Sequence, residues 1–310
     1  MIGSSCLEKD SSCLEFSSED EAYHDGDETS FTFDQHFQFS YCLNSDHSIS
    51  DRDESLESGS SDRRTQLQPS FLNIKLRVFI SKHIKHTGTH LWNCSVLLAN
   101  YFLHEMTRTD HSELFEDDVL LPVMKKPLTI LELGCGLGLP SILNCKINER
   151  NRSIMTDLNT SDFEERCLTQ CKLNSISQNQ YRIIPLEWGY DFTSVLKTSM
   201  AENIDLIIAT DCLYDKKLYD NFFSTIYFLK TLLKKPKLPL LLAQYKRNES
   251  DNITFQLKRW NLSARALNWQ ETIDLQRYLT LMNATDSNDQ ENLEKQFFEL
   301  YEATQIVLIK

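Results

Sequence analysis

The stretch LTILELGCGLGLP, Leu128 to Pro140, joins an apolar run to a glycine turn with an acid just ahead of it. Leu128, Ile130, Leu131 and Leu133 read as a strand buried on both faces, and Leu137, Leu139, Ile142 and Leu143 as the buried side of the helix that follows. Gly134, Gly136 and Gly138 make the turn, because without a Cβ they permit positive φ and let a ligand lie against the backbone. A dinucleotide site has the spacing GxGxxG, but Leu139 stands where its third glycine belongs, and the spacing is ExGxGxG. Glu132, two residues before the first glycine, suits a cationic ligand better than a pyrophosphate. A second acid, Asp157, ends the next apolar run, SIMTD, where a carboxylate can accept hydrogen bonds from both hydroxyls of a ribose. S-adenosyl-L-methionine (SAM), with ammonium, sulfonium and ribose, is the cofactor these residues predict. The plainer alternative for the glycines alone is a tight strand-to-helix connection.

The chain has 310 residues and is 41% hydrophobic, enough for a sizeable core. Its net charge of −13 is unevenly spread. Residues 1 to 69 hold 16 acidic and 4 basic side chains, so the remainder is close to neutral. The acidity therefore belongs to a serine-rich segment poor in aliphatic residues, which predicts a disordered acidic tail over 1–29 and a flexible acidic insertion over 43–69. Such segments attract basic partners, carry phosphorylation sites or simply aid solubility. No signal pattern opens the chain and no apolar run approaches the roughly 20 residues that span a bilayer, so a soluble protein of the cytoplasm or nucleus, without membrane contact, is expected. Cys135 in the glycine turn, Cys145 on a helix and Cys212 at a strand end are poorly placed for disulfides, and free thiols are expected. Cys167 and Cys171, or His83, His86 and His90, lack a second set of ligands at metal-site spacing, and no metal is predicted.

Along the chain, Phe31, Phe33, Phe37, Phe39 and Tyr41 alternate with polar residues, as do Ile74, Leu76, Val78 and Ile80. Both segments read as strands of period two that pair as a hairpin within a 30–89 region. From residue 90 an α/β domain, 90–310, is expected. A helix carrying Trp92, Val96, Leu97 and Tyr101 precedes strands at 128–134, 153–157, 181–187, 204–210, 238–244, 262–269 and 303–309. Leu218, Phe222, Ile226, Leu229 and Leu233 mark one face of a helix between the fourth and fifth of these, and Phe255, Leu257 and Trp260 another after the fifth. Seven alternating strands predict a mostly parallel, Rossmann-like sheet with helices on both faces. The polar stretch 276–295 reads as a surface excursion.

Ligands of open α/β sheets sit beyond the carboxyl ends of strands where the strand order reverses. If the first and fourth strands are neighbours there, IDLIIATDCLYD brings Asp211 and Tyr214 to the site. A carboxylate can bind and orient an incoming ammonium and help it lose a proton, since only a neutral amine attacks a sulfonium methyl, and a tyrosine adds an aromatic wall suited to a cation. The plainer alternative has Asp211 cap the helix that starts near Lys216. Trp188, at the end of the third strand, is placed to cover an adenine, and Trp92 to close the methionine end, unless either is plain core.

From Phe31 onward the chain resembles the class I, seven-strand methyltransferases of the small protein-lysine methyltransferase group. The matching pieces are Phe31 and Phe33 in the first strand, GTHLWNCSVLLANYF, ELGCGLGLPSI, TDL at 156–158, LEWG and DCLY. The resemblance implies cofactor contacts at Trp92, Glu132, Gly134, Gly136, Asp157, Leu158, Trp188 and Thr210, and acceptor-side roles for Asp211 and Tyr214. It also implies a protein substrate methylated on lysine or arginine, with histones and chaperones as candidates. Asn93 and Ser95 depart from the group's pattern after the tryptophan. No Asn-Pro-Pro-Tyr motif follows the fourth strand and no paired-glutamate loop is present, so neither an amide acceptor nor a guanidinium clamp is legible. A monomer is expected, without direct nucleic-acid binding, since no basic stripe accompanies the near-neutral domain. Two rival readings are a small-molecule methyltransferase on the same fold and a non-catalytic SAM-binding interaction module.

Overall fold

The computed structural model describes residues 30–42, 69–81, 87–107, 126–247, 252–273, 278 and 287–310. The acidic segments 1–29 and 43–68, together with His83 and His86, lie outside the described residues. Strand β1, Ser30–Cys42, pairs antiparallel with β2, Pro69–Ser81, from Ser30 opposite Ser81 to Cys42 opposite Pro69. The period-two alternation thus forms the expected hairpin. Phe37, Phe39, Ile74, Leu76 and Val78 turn one face of it into the same apolar core that Leu97, Phe102 and Leu143 occupy. The outer edge of β2 is held by two amides one helical turn apart on helix α3, Phe163–Leu173, and at its end. Gln170 accepts from Arg77 N at 2.8 Å and donates to Arg77 O at 2.7 Å. Asn174 does the same with Lys75 at 2.9 and 2.6 Å. Side chains thereby satisfy an edge that would otherwise need another strand.

Seven further strands form one sheet: β3 Thr129–Leu133, β4 Arg152–Asp157, β5 Tyr181–Pro185, β6 Leu206–Thr210, β7 Leu240–Tyr245, β8 Ala264–Leu267 and β9 Thr304–Ile309. Their order is β5-β4-β3-β6-β7-β9-β8; β9 runs antiparallel to both neighbours, and the pairs from β5 to β7 are parallel. Each of the seven expected strands is present, within two or three residues at the ends. Alternate residues serve opposite layers, as the pleat requires. Leu206, Ile208, Leu241 and Ala243 face one core, and Ile207, Ala209, Leu240 and Leu242 the other. Helices α1, Asn93–Thr107, and α2, Leu139–Ile147, cover the first face with α3. The short α4, Thr193–Lys197, and the long α5, Tyr219–Leu232, cover the second through Val195, Phe222, Phe223, Ile226 and Leu229. Helix α6, Thr254–Arg259, lies beside α5.

Two boundaries differ from expectation. Trp92 stands immediately before α1 rather than inside it, with its carbonyl accepting from Ser95 N at 2.9 Å. The polar stretch near the C-terminus is not a plain surface excursion, because residues 287–303 form helix α7, Ser287–Ala303, and Tyr278 is fully buried. Leu293, Phe297 and Leu300 recur at the helical period and carry its buried face, a spacing hidden by the glutamates and glutamines around them.

Candidate active site

The chain crosses over between β3 and β6, which are adjacent in the sheet on opposite sides of the reversal in strand order. A cavity of about 260 Å³ opens at their carboxyl ends. Trp92, Gly134, Gly136, Asp157, Leu158, Trp188, Thr210, Asp211 and Tyr214 all line it, so nine of the ten candidate residues, spread over 123 positions of sequence, meet around one space.

The glycine turn is left-handed at each glycine, with φ of 63° at Gly134, 53° at Gly136 and 71° at Gly138. At Gly134 the absent Cβ also makes room for neighbours: it would lie 2.9 Å from Cys212 Sγ and 3.0 Å from the Trp188 ring. Asp157, at the tip of β4, accepts from Gly136 N through Oδ2 at 2.9 Å and from Leu158 N through Oδ1 at 2.8 Å. Burial pushes its carboxyl above the ordinary value, opposed by those two N–H groups and by Arg166. Each oxygen keeps capacity for one more donor, which matches a pair of ribose hydroxyls. Trp188 stands half-buried with its ring edge-on to Phe222 at 5.1 Å, and Leu158 lies exposed at the rim.

Glu132 is the tenth residue and does not reach the cavity wall. In β3 it alternates with Leu131 and Leu133, and its fully buried carboxyl meets Ser141 in the first turn of α2. Oε2 accepts from both the Ser141 backbone N–H, at 3.1 Å, and the Ser141 hydroxyl, while Oε1 is buried without a hydrogen-bond partner among the described residues. Burial lifts its pKa to about 8 against the pull of those hydrogen bonds. Glu132 thus ties strand to helix from beneath the turn, a role the alternation of a strand decides and the motif spacing does not.

Asp211 follows β6 in a left-handed conformation, φ 49°, that few residues other than glycine, asparagine and aspartate adopt readily. Its buried carboxylate receives a bidentate fork from Arg247: Nη1 donates to Oδ1 at 3.0 Å and Nη2 to Oδ2 at 2.8 Å. Tyr245 N adds a longer bond to Oδ1 at 3.4 Å. The capping role near Lys216 falls instead to Asp215, which accepts from Lys217 N at 2.9 Å. Tyr214, exposed at the cavity mouth, stands three residues from Asp211.

Two arginines of this site escaped the sequence reading. Arg247 lies two residues beyond β7, in a cavity wall reached only once β7 is placed beside β6. Arg166, on α3, is buried; it donates from Nε to the Gly136 carbonyl at 3.3 Å, pairs with Asp162 and lies 3.8 Å from Asp157. A basic residue on an otherwise amphipathic helix gives no signal by itself. The six described cysteines outside the hairpin, Cys94, Cys135, Cys145, Cys167, Cys171 and Cys212, are free.

A sheet of this order with a glycine turn, a ribose-type acid and a second acid across the switch point defines a SAM-dependent class I methyltransferase. The chain belongs to the lysine methyltransferase family, whose sequence profile matches residues 73–261, and it is a SAM-dependent protein methyltransferase. It is similar to the histone-arginine methyltransferase METTL23 of Rattus norvegicus, at 25% identity over 195 residues, 61% of this chain and 73% of that protein. It is also similar to the protein-lysine N-methyltransferase EFM6 of Saccharomyces cerevisiae, at 26% identity over 184 residues, 56% and 70% of the two chains. A histidine protein methyltransferase 1 homolog of Dictyostelium discoideum is 32% identical over 139 residues, 43% of this chain and 37% of that one.

Proposed function

We propose that this chain methylates a side-chain nitrogen of an intracellular partner protein, with the cofactor held at the β3 and β4 ends and the acceptor at the end of β6. The observation that carries the reading is the single cavity shared by Asp157 and Trp188 on one side and Asp211 and Tyr214 on the other. Bound SAM supplies an electrophilic methyl group on sulfur. The protein's part is to hold the reactants in line and exclude water. Asp157 receives the ribose hydroxyls, Trp188 offers a ring face to the adenine, and Gly134 and Gly136 let the ligand approach the backbone. Trp92 and Thr210 border the transfer region. Asp211 fixes the acceptor nitrogen through an N–H···O bond, and Tyr214 walls its entry.

The names of the relatives support a protein acceptor and differ on its side chain: arginine, lysine and histidine all occur among them. A histone is a candidate substrate by likeness to METTL23, a chaperone by resemblance to the wider group, and action by a monomer in the cytoplasm or nucleus completes the proposal. Incubation of the purified chain with methyl-labelled SAM and a cell lysate tests it. Label in discrete protein bands is the expected result. Label confined to small molecules, or none at all with cofactor bound, rejects protein methylation by this chain.

A further inference from the structure

We propose that Arg247 is a specificity-determining residue, whose guanidinium takes the open edge of Asp211 so that the acceptor site admits an amine or imidazole nitrogen and turns away a guanidinium. The inference rests on the reading of Asp211 as the acceptor-side residue. A carboxylate offers about four acceptor directions. Oδ1 uses both of its own, on Arg247 Nη1 at 3.0 Å and Tyr245 N at 3.4 Å, and Oδ2 uses one, on Arg247 Nη2 at 2.8 Å. One direction on Oδ2 therefore remains.

A guanidinium is recognised by two parallel N–H···O bonds along the edge of a carboxylate. That edge is already occupied by a guanidinium of the chain itself, which is held in place over the Tyr245 ring at 5.8 Å. A second fork would find a single lone pair and a like charge beside it. An amine or imidazole nitrogen needs only one hydrogen bond to be oriented, and the neighbouring positive charge favours its neutral, nucleophilic form. The acceptor nitrogen forms its bond to the methyl carbon as the carbon–sulfur bond breaks, the electron pair stays on sulfur, and the surplus proton leaves nitrogen for solvent. Asp211 positions that nitrogen, and Arg247 sets how much of Asp211 is available.

The test uses the full chain, a cell lysate and methyl-labelled SAM, with acid hydrolysis of the labelled proteins to identify the methylated amino acid. Label in methyl-lysine or methyl-histidine is expected from the wild-type chain; label in methylarginine overturns the inference while leaving protein methylation intact. Absence of protein label rejects the parent reading and this one together. Arg247→Ala should bind SAM by calorimetry within about twofold of wild type and lose its selectivity, with methylarginine in the hydrolysate rising roughly tenfold or more over wild type. Methylguanidinium added at millimolar concentration should refill the fork in that variant and suppress its methylarginine while leaving wild type unchanged, whereas a merely structural arginine would alter rate or stability without changing which amino acid is methylated. Arg247→Lys, which keeps the charge without the fork, should fall between the two. Loss of SAM binding in both variants, or an alanine variant that methylates the same amino acids as wild type in the same proportion, overturns the assignment.

Discussion

The buried side chain of Arg166 donates to the carbonyl of Gly136 at 3.3 Å, so a helix three elements downstream braces the middle of the cofactor turn. The same guanidinium pairs with Asp162 and lies 3.8 Å from Asp157, which itself holds Gly136 N. Replacing it with methionine would leave two acids and a carbonyl without their common cation. Breaking such a buried pair costs about 3–5 kcal/mol. Arg166→Met should therefore lower the unfolding midpoint in urea and weaken SAM binding well beyond the effect of Arg166→Lys; equal affinities in calorimetry would remove Arg166 from the support of the turn.

Asp211→Asn isolates chemistry from folding. Asparagine tolerates the left-handed φ of 49° that position 211 requires, and its amide preserves one acceptor oxygen for Arg247. SAM affinity should stay near wild type while the rate of methyl transfer to the labelled band drops on the order of a hundredfold or more. Undiminished transfer at saturating cofactor would move the acceptor site elsewhere.

Gly134→Ala should damage the cofactor half. The substitution forces an L side chain into φ 63° and sets a methyl 2.9 Å from Cys212 Sγ and 3.0 Å from the Trp188 ring. Left-handed backbone alone costs about 1–2 kcal/mol. The expected outcome is a lower melting temperature and at least tenfold weaker SAM binding, read by scanning fluorimetry and calorimetry.

Glu132 predicts a pH dependence of stability in the cofactor-free protein. Its ordinary value of 4.5 is lifted to about 8 by burial, so the folded state keeps a proton that the unfolded chain releases. The stability from this group is fully present below the unfolded value and is lost as pH rises through the folded one. Between about pH 5 and about pH 8.5 the melting temperature of wild type should fall more steeply than that of Glu132→Gln, which cannot ionise. Parallel curves would mean that the carboxyl is already ionised in the folded protein.

Gln170→Leu should loosen the hairpin without touching the cofactor. Two hydrogen bonds to Arg77, at 2.8 and 2.7 Å, disappear and leave backbone groups of an edge strand unmet. Each such group costs about 1–3 kcal/mol when it stays buried. Amide hydrogen exchange should quicken across β1 and β2 while SAM affinity is retained; unchanged protection would assign the docking of the hairpin to its apolar face alone.

The amino-acid sequence determined the strands, the hairpin pairing and nine residues of the cavity lining, because these rest on local signals: alternation of apolar residues, glycines where φ must be positive, and polar residues at strand ends. It also pointed to the cofactor, since the glycine turn and Asp157 lie within one strand-turn-helix-strand unit, although Glu132, the acid of the same spacing, turned out to serve the fold. Helix α7 was obscured by its composition, although Leu293, Phe297 and Leu300 carried the period.

Only the tertiary structure decided what the charged groups do. Glu132 sits beneath the turn because the pleat of β3 points it at Ser141, Arg166 reaches Gly136 across 30 residues, and Arg247 reaches Asp211 across 36. A charge buried in a low-dielectric interior takes its role from the partner that neutralises it, and that partner is chosen by which strands and helices pack together.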